Sequence, residues 1–128
     1  MAVVDANIIL RYILNDHEEY SLYAAEILEN QSVILPIEAA CEVVYVLQKV
    51  YGVERSVIKR HLGNLLDEGL ITIDKSRVFL AALDCYSETS LDFVDTLLWA
   101  YFKVEQQEVY TFDNKLRKLI RRTKHNPE

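Results

Sequence analysis

Four short aliphatic runs, set between stretches of helical period, constrain this chain more than any other feature. AVV (Ala2 to Val4), VILPI (Val33 to Ile37), ITI (Ile71 to Ile73) and EVYTF (Glu108 to Phe112) are rich in β-branched or aromatic residues. Short and uninterrupted, they suit strands buried on both faces. Between them, apolar residues recur at helical spacing in Asn7 to Leu14, Ser21 to Leu28, Glu38 to Val50, Arg55 to Leu66, Arg77 to Tyr86 and Asp92 to Lys103. Strands that alternate with helices imply a mostly parallel α/β sheet covered on both faces. Gly52 and Gly69 stand where two of the helices should stop. The only prolines are Pro36, at a strand-to-helix junction, and Pro127, near the end. No repeat, low-complexity tract or linker interrupts the chain, so residues 1–128 are expected to form a single domain.

Composition narrows the function. Half of the chain (51%) is apolar, enough to fill a core without disulfides or a structural metal. Cys41 and Cys85 form no CxxC pair and lie in aliphatic surroundings, which suits small core residues in a reducing compartment. The N-terminal MAVVDANIILRYIL is broken by Asp5, Asn7 and Arg11 and has no basic leader, so neither a signal peptide nor a membrane span is expected. A cytoplasmic location follows from that reading. The net charge of −6 argues against holding nucleic acid by bulk electrostatics. Its distribution qualifies this, because KLRKLIRRTK (Lys115 to Lys124) concentrates six basic residues. Such a tail reads first as a solvated helix end, with contact to a phosphate backbone or an acidic partner as the alternative.

The acidic residues hold the chemistry. In open α/β sheets, ligands bind beyond the carboxyl ends of the strands. Asp5 directly follows AVV, and Asp113 directly follows EVYTF with Thr111 two residues before it. Either could be a helix cap, where the dipole favours a carboxylate by about 0.3 to 1 kcal/mol. Two such residues at equivalent strand ends point further, to a site. Asp92 and Asp95, three apart, share a face where their helix opens. Ser90 or Asp92 can serve as its N-cap, whereas Asp95 lies deeper, beside the stripe of Val94, Leu97, Leu98 and Tyr101. Glu42 stands in the otherwise apolar IEAACEVVYVLQ, four residues after Glu38. It either belongs to a narrow solvent stripe of Glu38, Glu42, Tyr45 and Lys49 or reaches a site.

Carboxylates gathered in one cleft resist ionisation unless a cation compensates. Oxygen ligands alone select hard cations such as Mg²⁺ or Mn²⁺, which keep waters and meet phosphates. Phosphodiester cleavage assisted by one or two metal ions is the chemistry such a cluster suits.

Four segments, VVDANIILRYIL, LPIEAACEVVYVLQKVYG, FVDTLLWAYF and VYTFDNKL, in that order and at these separations, resemble a PIN domain, and most of all the VapC toxins of bacterial and archaeal toxin and antitoxin pairs. The resemblance implies a three-layer α/β/α PIN-like fold with a central, mostly parallel sheet. It also implies a Mg²⁺- or Mn²⁺-dependent endoribonuclease that hydrolyses single-stranded or loop RNA and leaves a 5′-phosphate. The family's catalytic, metal-binding acids map onto Asp5, Glu42, Asp95 and Asp113, with Asp92 able to share the role of Asp95. Asn7 and Thr111 match the positions that orient those acids. Such toxins are usually homodimers, neutralised by a small antitoxin whose C-terminal segment covers the active site.

Other residues fit quieter roles. His17, His61 and His125 are scattered and form no acid and base pair, so surface or structural roles are expected. Trp99, Tyr101 and Phe102 suit core or dimer surface better than base stacking. Arg11 could touch RNA or sit at the rim, and Lys118, Arg121 and Arg122 are candidates for contact with RNA or a partner. A phosphoacceptor receiver domain is also α/β and acidic, but lacks its adjacent acid pair here: Asp5 stands alone, and Asp74 and Lys75 follow ITI in no receiver pattern. A catalytically silent PIN-like module that binds nucleic acid or protein is the remaining alternative.

Overall fold

A computed structural model describes residues 1–126, and Pro127 lies outside the described residues. Among the described residues the chain forms two compact units, one over Met1–Asp74 and one that begins at Lys75.

The first unit runs β1 (Ala2–Val3), α1 (Ala6–Leu14), α2 (Glu18–Asn30), β2 (Val33–Ile34), α3 (Ile37–Lys49) and α4 (Arg55–Asp67). β1 and β2 pair in parallel, Ala2 opposite Val33 and Val3 opposite Ile34. A single parallel bridge from Ile34 to Thr72 continues the ladder, with Leu35 N–H donating to the Thr72 carbonyl at 2.9 Å. The strands are thus parallel as expected but shorter. AVV and VILPI contribute two residues each, and ITI only the bridge at Thr72. Pro36 has no N–H to give to a ladder and stands at the N-cap of α3, which ends β2 early. Val4, Leu35, Ile71 and Ile73 are nonetheless buried, so the aliphatic runs make core even where they make no ladder.

α3 shows how the local sequence divides its faces. Ala40, Val43, Val44 and Leu47 are buried at spacings of three, one and three, while Glu38, Glu42, Tyr45 and Lys49 are exposed. Two helix exits use glycine: Gly52 at φ +64° follows α3, and Gly69 at φ +74° follows α4. α1 closes instead on Asn15, left-handed at φ 48°, whose N–H donates to the Arg11 carbonyl.

The second unit contains α5 (Ser76–Glu88), α6 (Phe93–Glu105) and α7 (Asn114–His125). α5 packs along α6 through Phe93, whose ring meets Phe79 and Tyr86 edge-on at centroid distances of 5.5 and 5.6 Å. α7 lies against α6, burying Leu116 and Ile120, and the Trp99 indole N–H donates to Thr123 Oγ1 at 2.9 Å. Trp99 is therefore a packing residue of this unit.

Two expectations change here. Glu108 to Phe112 forms no strand among the described residues. The basic tail is a complete helix of 12 residues rather than a helix end.

Candidate active site

The second unit assembles the acidic site from the start of two helices. Asp95 is the third residue of α6 and half-buried, and Asp113 is the N-cap of α7. A cavity of about 500 Å³ is lined by Ser90, Asp92, Asp95, Asp113, Asn114 and Lys115. Burial raises the Asp95 carboxyl above its ordinary range, and the nearby charges of Asp113 and then Asp92 push it the same way. Repulsion among the three carboxylates thus adds to the effect of burial.

Asp113 is held in place by its own turn. Its Oδ1 accepts the Leu116 N–H at 2.8 Å, and its own N–H donates to Thr111 Oγ1 at 3.0 Å. Arg117 Nε–H donates to the Thr111 carbonyl at 2.7 Å, pinning the same turn from the helix side. Thr111 Oγ1 thus meets the backbone N–H of Asp113 and braces the turn that precedes α7. Capping occupies one carboxylate oxygen and leaves the other for a ligand. Asp92 stands at the N-cap of α6, yet its side chain makes no capping hydrogen bond. The N-cap role allowed for it is positional only, and the residue lines the cavity.

In the first unit, Asp5 is the N-cap of α1, its Oδ1 accepting the Ile8 N–H at 3.2 Å. Val4, just before it, still donates to the Ile34 carbonyl at 3.0 Å, so Asp5 sits at the very end of the ladder. Glu42 lies on the exposed stripe of α3, and Asn7 is exposed on α1. Arg11 is engaged within the unit: it pairs with Asp16 at 2.8 Å and donates to the Tyr51 hydroxyl at 3.1 Å. His17 is structural as expected, its Nδ1 accepting the Tyr20 N–H at the start of α2. Cys41 and Cys85 are free thiols, both pushed up by burial, Cys41 further by Glu38.

The arrangement brings together Asp95 and Asp113, with Asp92 beside them. Asp5 and Glu42 belong to the other unit. Among the described residues no group of three or more His, Cys, Asp or Glu stands close enough to hold a metal ion. The chemistry of the second unit's donor set nevertheless fits a hard cation: its carboxylates are oxygen donors only, and Asp95 is raised by burial and then by its acidic neighbours. Sequence reasoning missed Asn114 and Lys115 in the cavity wall. Their position in the first turn of a helix capped by Asp113 is the signal that could have found them.

A family profile of the PIN domain matches residues 2–121, across both units. The chain belongs to the PIN domain family. No curated protein and no solved structure matches it. Membership, the parallel pairing of β1 with β2 and the seven helices among the described residues agree with the three-layer α/β/α PIN-like fold class. PIN domains are usually nucleases that bind divalent metal ions and act on nucleic acid, which supports a hydrolase at that coarse level. Among the described residues no helix is long and apolar enough to cross a membrane.

Proposed function

We propose that this PIN domain is a Mg²⁺- or Mn²⁺-dependent endoribonuclease of the VapC toxin kind, acting through Asp5, Glu42, Asp95 and Asp113. The observation that carries the reading is Asp95: a half-buried carboxyl raised by burial, Asp113 and Asp92, on the wall of an open cavity. A fold has no structural use for that repulsion, whereas one bound cation turns it into attraction. Perturbed carboxyls in a cleft are where catalytic groups are found.

When bound, such a cation supplies Lewis acidity toward a phosphate oxygen and makes hydroxide available at neutral pH. The protein's part is to hold and orient. Asp95 and Asp113 hold the cation, with Asp92 available to share the load of Asp95. Thr111 fixes the turn that aims Asp113. Lys115, on the same cavity wall, offers a positive charge to the phosphate being cut. Asp5 and Glu42 complete the donor set of the family motif, with Asn7 orienting Asp5. Single-stranded or loop RNA is the substrate, a homodimer the working form, and a small antitoxin the inhibitor.

The test is cleavage of a mixed pool of labelled single-stranded and hairpin RNAs by the purified protein. Cutting that requires Mn²⁺, stops with EDTA and stops with Asp95→Asn supports the proposal. Metal-free cutting refutes the metal-dependent mechanism, and no cutting by folded protein freed of any bound partner refutes the nuclease and leaves the silent binding module.

A further inference from the structure

We propose that the basic face of α7 carries the phosphates of the RNA strand flanking the cleavage point, a role that rests on the nuclease reading above. α7 bears six Lys and Arg residues and no Asp or Glu over 12 residues, in a chain whose net charge is −6. Helix stability does not explain this. Lys115, Arg117 and Lys118 fall in the first half of α7, where the dipole disfavours cations, and like charges three and four residues apart repel. Nor does internal pairing explain it. Among the described residues, Lys115, Lys118, Arg121 and Arg122 are exposed and none has a carboxylate within ion-pair reach.

These four cations line one side of a second cavity, of about 530 Å³, with Leu91 and Leu119 as its apolar part. Ser90, Leu91 and Lys115 belong to its wall and to the wall of the acidic cavity, so the two lie side by side. A strand held at Asp95 and Asp113 therefore leaves directly onto the cations. From Lys115 to Arg122 the helix advances about 10 Å, roughly the rise of three nucleotides of a strand. Evenly spaced phosphates meet such a row one by one, and the leucines offer a face to a base or sugar. An acidic peptide would satisfy the charges, but gains nothing from continuity with a cavity lined by three carboxylates.

The test measures binding apart from cleavage. Fluorescence anisotropy of a short labelled single-stranded RNA is followed in excess EDTA, from low to physiological salt. Wild type is compared with Lys118→Ala/Arg121→Ala/Arg122→Ala and with the charge-keeping Lys118→Arg/Arg121→Lys/Arg122→Lys, all shown by circular dichroism to melt alike. The expected result is a salt slope shallower by about 2, at roughly 0.7 per lost phosphate contact, and about tenfold weaker binding at low salt. The charge-keeping variant restores both. Equal slopes and affinities, or no RNA binding by wild type at low salt, overturn the proposal. So does an alanine variant that keeps RNA but loses a labelled polyglutamate peptide, which assigns the face to an acidic protein. A shallower slope in a protein that never cuts RNA refutes the nuclease reading alone. Metal-dependent cutting with an unchanged slope refutes this one alone.

Discussion

Replacing Asp95 by Asn removes one negative charge and changes almost no volume, so its effects on folding and on chemistry separate cleanly. Two structural terms oppose each other. Asp95 lies in the first turn of α6, where the dipole stabilises a carboxylate by about 0.3 to 1 kcal/mol. Burial, the largest cause of its raised carboxyl, works the other way, together with the charge of Asp113 and with Asp92 three residues away, a like-charge pair that costs about 0.2 to 0.5 kcal/mol. The terms nearly cancel, leaving stability without metal within about 0.5 kcal/mol, a melting shift of about 2 °C in a domain of this size. Cleavage responds differently. Loss of a charged ligand to the cation is expected to lower Mn²⁺-dependent cutting by about a hundredfold or more, close to 2.7 kcal/mol of transition-state stabilisation. The assay pairs thermal melting in EDTA with initial cleavage rates of the RNA pool at saturating Mn²⁺. Retained cleavage within about threefold of wild type would sink the reasoning, since each tenfold in rate is only about 1.4 kcal/mol. A melting point lower by about 8 °C or more would sink it differently, by making Asp95 a structural residue.

Further expectations concern packing, pH and orientation. Phe93→Ala removes the ring that joins Phe79 to Tyr86 and should cost about 3 to 5 kcal/mol, measured by urea unfolding; a cost under about 1 kcal/mol contradicts the packing described. His61 is lowered from its ordinary value by burial and then by Arg60. Its folded form thus resists the proton more than its unfolded form, and stability falls as pH drops below the ordinary histidine range. Melting curves across that range should show this loss, reduced in His61→Gln; an identical pH response in both proteins refutes it. Thr111→Val deletes the hydroxyl that accepts the Asp113 N–H and should lower cleavage about tenfold with little change in RNA affinity. An unchanged rate would show that Thr111 does not position the acid.

The helices were legible because each carries its own period and punctuation. Ala40, Val43, Val44 and Leu47 announce the buried face of α3, and Gly52 and Gly69 adopt the positive φ that marks a helix exit. Strand extent was less legible, because a ladder depends on a partner and β-propensity is only local. EVYTF has the residues of a strand and forms none among the described residues, and Pro36 cut β2 short. At the candidate site, adjacency in the chain placed Asp113 beside Thr111, and helical spacing placed Asp92 beside Asp95. The meeting of Asp95 with Asp113 arises from packing of α7 on α6, through apolar residues such as Ile120 and the bond from Trp99 to Thr123. No spacing rule encodes that. Glu42 shows the converse: its stripe with Glu38, Tyr45 and Lys49 is exposed as drawn from the sequence, and a solvent face and a ligand share that pattern.

The most direct measurement is Mn²⁺ binding to the RNA-free protein, with free Mn²⁺ followed by electron paramagnetic resonance. Wild type should bind at least one Mn²⁺, and both Asp95→Asn and Asp113→Asn should weaken that binding by about tenfold or more. A folded wild type that takes up no Mn²⁺ at millimolar concentration, or variants that bind it as well as wild type does, would show that these carboxylates serve something other than a metal.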